Sequence, residues 1–263
     1  MELLHFTGQV WRPPYEASSQ LLQVTAGCTH NKCKFCSLYH GTKFRLSPIA
    51  EVEEDLKVIQ DYQPRARRVF LTGANPFALS YNRLLDLGLL IRKYLRYCES
   101  IGMFSRISDI KSKTVEELQN LRHLGFDSIS IGTESGDDNT LAMMNKGYTA
   151  NDIIEQCKKL EEANIRYNFV YLTGLAGRNK GEQNAVNTAN VFNQLHPFTI
   201  NFVSLTVFPE SELYQEIQCG NFVEATEHER LLELRTFISN LCIETTLLGN
   251  TVSNTVTFVG MIP

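Results

Sequence analysis

Nowhere do the 263 residues contain an apolar run approaching the roughly 20 residues that a membrane-spanning helix needs. The first residues also lack a basic-then-apolar leader pattern. Together these absences predict a cytoplasmic protein with no membrane partner. Positive charge is not in excess either: 25 Lys and Arg face 29 Asp and Glu, for a net charge of −4. Without a basic field to hold a phosphate backbone, nucleic acid is a disfavoured partner. The one compact basic run, Arg65-Ala-Arg67-Arg68, leads directly into an apolar segment and reads as the solvated start of a strand. Internal repeats, low-complexity tracts and obvious linkers are missing too, and the length suits a single α/β barrel. A disulfide scaffold is excluded on count and spacing, because seven cysteines leave one over and three of them crowd one short segment.

That segment, Cys28-Thr-His-Asn-Lys-Cys33-Lys-Phe-Cys36, places three thiols within nine residues, directly after the strand-like run QLLQVT. In reducing surroundings such spacing points to a metal. Three thiolates are one short of the set that a structural zinc takes, and on an iron–sulfur cube they leave one iron without a protein ligand. A zinc knuckle and a non-catalytic iron–sulfur module are therefore competing readings of the cysteines alone. His30 and His40 flank the loop and read as solvated side chains, not as a fourth ligand. Cys98, Cys157, Cys219 and Cys242 lie among apolar neighbours and are expected to be small buried hydrophobes.

Strand-like and helix-like segments alternate along most of the chain. Strands are predicted at residues 20–25, 68–72, 102–107, 127–132, 167–172 and 199–206. Helices are predicted at 49–62, 81–99, 114–124, 138–144, 150–163 and 182–195. Thr114-Val-Glu-Glu reads as a capping box at a helix start, and Gly125 as the stop. Six such repeats predict a parallel sheet with helices outside it, connected right-handedly. The expected fold is α/β, a partial (β/α)6 TIM-like barrel over residues 1–208. A C-terminal α+β extension over 209–263 has a turn-rich start, a helix at 227–241 and a polar, β-rich end. The cysteines fall after the first strand, at the strand ends where such sheets carry their reactive sites.

The stretch TAGCTHNKCKFCSLYHG resembles the cluster loop of the radical S-adenosylmethionine (SAM) superfamily, and four further blocks resemble it in order. VFLTGANPF is similar to its Gly-Gly-Glu region, and ISIGTESGDDNTLAMMNKGYT to its Gly-x-Glu-Ser-Gly block. FVYLTGLAG is similar to its strand-five motif, and SLTVFPESELY to the block after strand six. Five ordered blocks covering about residues 10–215 are more specific than any one of them. The nearest subgroup holds oxygen-independent coproporphyrinogen oxidases and methylthiotransferases. Two departures stand out: four residues, not three, separate Cys28 from Cys33, and Asn75 takes the place of the Glu.

The resemblance implies a [4Fe–4S] cluster held by Cys28, Cys33 and Cys36, with SAM on the remaining iron. One electron would cleave SAM to a 5′-deoxyadenosyl radical that abstracts hydrogen from a small-molecule or peptide substrate. A reductant such as flavodoxin or ferredoxin would supply the electron. The same resemblance gives Phe35 main-chain contacts to the adenine, and sets Gly73, Ala74 and Asn75 along the methionine amino end. Glu134 and Ser135 would contact the ribose or methionine part, and Gly174 to Gly177 would pass beneath the adenine. On residue chemistry, Arg106 suits the cofactor carboxylate, or equally Asp109. Glu134 suits either ribose hydroxyls or the start of the next helix. Tyr39, Tyr171 and Tyr214 suit a cavity wall or the core.

Overall fold

A hydrophobic pattern that buries both faces of its strands runs through the middle of this chain, as parallel sheets require. The computed structural model describes residues 4–262. Its strands are β1 (Gln20–Gln23), β2 (Thr25–Ala26), β3 (Arg45–Leu46), β4 (Arg68–Thr72), β5 (Ser100–Ser105), β6 (Phe126–Glu134), β7 (Arg166–Thr173), β8 (Thr199–Ser204), β9 (Thr245–Leu248) and β10 (Val259–Ile262). Its helices are α1 (Ile49–Tyr62), α2 (Tyr81–Tyr94), α3 (Ile107–Lys111), α4 (Val115–His123), α5 (Asp138–Met143), α6 (Ala150–Glu162), α7 (Gly181–Phe192), α8 (Glu212–Gln218) and α9 (Glu227–Asn240). The hydrogen-bonded order is β1-β4-β5-β6-β7-β8-β9-β10, while β2 and β3 pair separately. Pairing is parallel for β1 with β4, β4 with β5, β7 with β8 and β8 with β9, and antiparallel for β9 with β10. The α/β class with a mostly parallel sheet is the expected one.

The chain divides into two compact units, with β6 and β7 running through both. One holds the residues up to Thr29, Gly41–Ser130 and Lys159–Tyr167. Within it, α1 begins after Pro48 and buries Val52, Leu56 and Ile59, one face at helical spacing. The predicted capping box on α4 forms, Thr114 and Glu117 each accepting the other's backbone N–H. A polar layer lies at the strand starts. Glu16 is fully buried and accepts from Arg68 Nε at 2.7 Å, while Asp127 Oδ2 takes Arg166 Nη2 at 2.6 Å and lies 3.7 Å from Arg68.

The other unit holds His30–His40, Ile131–Lys158 and the chain from Asn168 on. Its core is aromatic. Tyr171 stacks on Phe237 at 4.6 Å, and Phe202 and Phe192 meet the same ring edge-on at 5.5 and 5.7 Å. Such pairs add about 1 kcal/mol each beyond their burial.

Several boundaries differ from expectation for local reasons. Helix α2 stops at Tyr94, because Arg92 in its last turn donates to the Cys98 and Leu124 carbonyls and draws the chain back toward β5. Strand β5 ends at Ser105, since Arg106 caps α3 and its N–H donates to Asp109. The turn-rich start expected of the extension leads into helix α8, which Ser211 caps by accepting from Tyr214 N–H at 3.2 Å. Of the four scattered cysteines, Cys98 and Cys157 are buried as expected. Cys219 and Cys242 are exposed, because each falls just past a helix end.

Candidate functional site

In the first unit the segments of interest leave the C-terminal ends of β2, β4 and β5. Cys28 follows β2 and is half-buried. The next residue, Thr29, is held by Asn75: its N–H donates to Asn75 Oδ1 at 3.2 Å, and Asn75 Nδ2 donates to its Oγ1 at 2.6 Å. Asn75 Nδ2 also donates to Asp109 Oδ2 at 3.0 Å, and Asn75 is completely buried. The residue that replaces the acid of the Gly-Gly-Glu region therefore turns its side chain onto the cysteine loop. Gly73 has φ +134°, and a Cβ there would collide with Thr25 Oγ1, so β4 can approach β2 this closely only through glycine. Ala74 N–H reaches the Gly27 carbonyl at 3.4 Å.

Asp109 anchors this group from below. Burial pushes its carboxyl pKa up, opposed by the Arg106 N–H and the Asn75 amide. Arg106 donates from Nη1 to Ser108 Oγ at 2.9 Å. Lys113, which carried no role in the sequence, is buried and donates to the Phe77 and Asp109 carbonyls at 2.7 and 3.1 Å. Burial pushes its pKa down to about 8.

In the second unit the rest of the cysteine loop is docked on both sides. Lys34 N–H donates to the Met144 carbonyl at 3.2 Å, and the Lys34 carbonyl accepts from Leu213 N–H at 2.8 Å. Lys34 Nζ lies 2.8 Å from Glu216 and 3.4 Å from Glu212, on α8. Asn145 holds the loop again, donating to the Lys32 carbonyl at 3.0 Å, and its own carbonyl meets His30 Nε2 at 2.7 Å. Phe35 packs its ring against the cluster of Met144, Leu172, Leu175, Leu205, Leu213 and Phe222. Cys36 N–H donates to the Cys33 carbonyl at 3.1 Å, closing a turn between the last two thiols.

Glu134 ends β6 in a left-handed conformation, φ +64°, that a non-glycine residue adopts only when its surroundings hold it there. Burial raises its carboxyl pKa, opposed by Lys146, whose Nζ lies 3.5 Å away. Lys146 also donates to the Gly132 carbonyl and lies 5.5 Å over the Phe35 ring, joining the cysteine loop to β6. Ser135 is fully buried and points inward: its Oγ donates to Asn184 Oδ1 at 2.5 Å and accepts from Asp137 N–H. Gly174 has φ +84°, and a Cβ there would lie 2.8 Å from Arg230 Nε, so a protein side chain fills that space. Its N–H donates to Glu233 Oε2 at 2.7 Å. Tyr171 is buried in the core and Tyr214 exposed.

The structure thus brings together Thr29, Asn75 and Asp109 in one unit, and Phe35, Lys146 and Glu134 in the other. Sequence reasoning gave no role to Lys146, Asn145, Asn184 or Glu233. Lys146 and Asn145 lay inside a quoted block and were findable; Glu233 had only the weak signal of one acid amid Leu231, Leu232 and Leu234. Beyond Thr173 and Ser204, at the ends of β7 and β8, lies a cavity of about 270 Å³ lined also by Arg230, Leu234, Asn254 and Phe258. Asn254 is fixed in its wall, accepting from Ser204 N–H and donating to the Phe202 and Gly249 carbonyls.

The donor chemistry suits an iron–sulfur cube open at one corner, with three half-buried thiols inside nine residues of chain. Among the described residues, these cysteines included, no three His, Cys, Asp or Glu side chains are gathered into a group that could hold a metal ion. No helix among those residues is long and apolar enough to cross a membrane.

A family model described as the Radical SAM superfamily matches residues 22–189. The heme chaperone HemW of Bacillus subtilis (strain 168) is 24% identical over 203 residues, which cover 73% of this chain and 52% of that one. The chain thus spans about half the length of this curated relative. Among solved structures, the radical SAM methyltransferase TsrM from Kitasatospora setae, with cobalamin and a [4Fe–4S] cluster bound, matches with a TM-score of 0.62 and 18% identity. That match covers 77% of this chain and 40% of TsrM. The coproporphyrinogen III oxidase HemN of Escherichia coli, described as a radical SAM enzyme, matches with a TM-score of 0.61 and 15% identity, over 84% of this chain and 51% of HemN.

Proposed function

Since this chain belongs to the radical SAM superfamily, we propose that Cys28, Cys33 and Cys36 hold a [4Fe–4S] cluster and that the protein cleaves SAM reductively to begin radical chemistry on a small-molecule or peptide substrate. When bound, the cluster supplies the electron that breaks the sulfonium bond of SAM and releases a 5′-deoxyadenosyl radical. The observation that carries this reading is the match over residues 22–189, which encloses the three thiols and four of the five blocks quoted above, all but SLTVFPESELY.

The chain's own residues hold, orient and shield. Met144, Leu213 and Asn145 fix residues 32–34 of the cysteine loop through its backbone, which holds the Cys33 backbone before any cofactor arrives. Phe35 packs the loop against apolar neighbours, an environment that would tune a cluster's potential. Lys146 keeps Glu134 paired at 3.5 Å, a carboxylate suited to ribose hydroxyls. Gly73 and Ala74 would offer backbone groups to the methionine amino end, while Asn75 acts through the loop. Arg106 would face the methionine carboxylate. The residues from 209 on form the extension, and the cavity beside Thr173 and Ser204 would take the substrate. A small electron-transfer protein such as flavodoxin or ferredoxin would be the reductant. Kinship to HemW and likeness to HemN support the coproporphyrinogen-oxidase-like subgroup.

Anaerobic reconstitution tests the reading. The loaded, reduced protein is expected to convert SAM to 5′-deoxyadenosine. A protein that holds four irons and four sulfides yet never cleaves SAM sinks it. Cys33→Ala is expected to abolish the visible absorbance of the cluster, while Cys157→Ala, in the buried face of α6, leaves it intact; equal loss from both overturns the ligand assignment. The HemW kinship favours one second reading, heme carriage, and a hemin titration followed by its absorbance band separates the two.

A further inference from the structure

We propose that Glu233, on a helix outside the matched region, is a positioning residue for SAM: with Asn184 it fixes from behind the two turns that follow β6 and β7. The inference rests on the cofactor reading above.

Glu233 is fully buried, yet neither oxygen lacks a donor. Its Oε2 accepts the Gly174 N–H at 2.7 Å, and its Oε1 accepts Tyr171 OH at 2.7 Å and Asn184 Nδ2 at 2.8 Å. Asn184 passes the connection on, because its Oδ1 accepts Ser135 Oγ, which in turn accepts Asp137 N–H. One carboxylate therefore ties down Gly174, in a left-handed turn, and Ser135, the neighbour of the left-handed Glu134. Both turns lie at strand ends to which the cofactor reading assigns SAM contacts. Burial raises the carboxyl pKa of Glu233, and the Gly174 N–H heads the contacts that oppose the rise. A buried acid is costly to keep unless donors surround it. Here two of the three donors are a turn N–H and a side chain that reaches a turn, and the third, Tyr171 OH, comes from β7. Gly181 adds a steric reason for the fit, since a Cβ there would lie 2.9 Å from the Glu233 carboxylate.

Three variants separate positioning from mere stability. Glu233→Leu removes the acceptor, Asn184→Ala removes the link to Ser135, and Phe237→Leu loosens the same helix and its stack on Tyr171 while leaving the Gly174 and Asn184 bonds to Glu233 in place. The probe is SAM, added to the reconstituted protein. Glu233→Leu and Asn184→Ala are expected to keep full iron and sulfide content while binding SAM about tenfold more weakly or worse. They should also blunt the change that SAM causes in the electron paramagnetic resonance spectrum of the reduced cluster. Phe237→Leu, whatever its loss of thermal stability, should keep both. Wild-type SAM binding in the first two variants, or equal loss in Phe237→Leu, overturns the proposal.

A second measurement stands without cofactor: hydrogen exchange at the Gly174 amide should be slow in the wild type and fast in Glu233→Leu. Equal rates overturn the tie itself. If the wild-type protein shows no response to SAM, the cofactor reading fails instead, and the positioning of SAM falls with it.

Discussion

Asn75 donates both amide hydrogens, to Thr29 and Asp109, and accepts from Thr29 N–H, and so fastens the start of the cysteine loop to α3. Asn75→Asp would lose both donated bonds and set a second carboxylate against Asp109. The expected cost is about 2 kcal/mol or more in urea unfolding, with faster iron release from the reconstituted protein. Lys113 makes a prediction of opposite sign to the usual alkaline loss of stability. Its folded pKa is pushed down to about 8, below the ordinary lysine value of 10.5. Across that window the unfolded chain holds a proton that the folded protein lacks, so this residue makes stability rise with pH. Lys113→Met should remove that rise, read as unfolding midpoints at neutral and mildly alkaline pH. Neither role was legible in the sequence. The sequence offers Asn75 as a neutral amide along the methionine amino end and gives Lys113 no role, because their partners lie far along the chain.

Elements were legible where one local signal dominated. Helix α1 and strand β4 match their predicted limits, since Ser47-Pro48 and the run RVFLT mark them directly. Helix α8 was missed because Pro-Glu-Ser-Glu carries turn residues, and only Ser211 signals a start. That short helix presents Leu213, whose N–H donates to Lys34 and whose side chain is 1% exposed. Leu213→Ala should cost about 2–4 kcal/mol and speed cluster loss. Lys34→Ala removes only a part-exposed ion pair, with an expected cost of at most about 1 kcal/mol. Comparable losses from the two would mean that charge, not packing and backbone, docks the loop.

At the scale of the molecule, the two ends of the parallel strands divide the work. In the first unit the strand starts carry Glu16, Arg68, Asp127 and Arg166, a polar layer whose two carboxylates are buried. Arg68→Met should leave Glu16 buried and unpaired, at about 3 kcal/mol in thermal or urea unfolding, while SAM cleavage per cluster stays unchanged. The strand ends carry the loops that the superfamily uses. Sequence alone determined the class of fold, the three thiols and the order of the blocks, because alternation, spacing and glycine turns are written in neighbouring residues. Tertiary structure decided which way the polar side chains face. Asn75 turns to the loop, Ser135 turns to α7, and Gly174 donates to a carboxylate 59 residues away. Burial supplies the reason: a polar group taken out of water must find its partner wherever packing puts one, and no periodicity along the chain encodes that address.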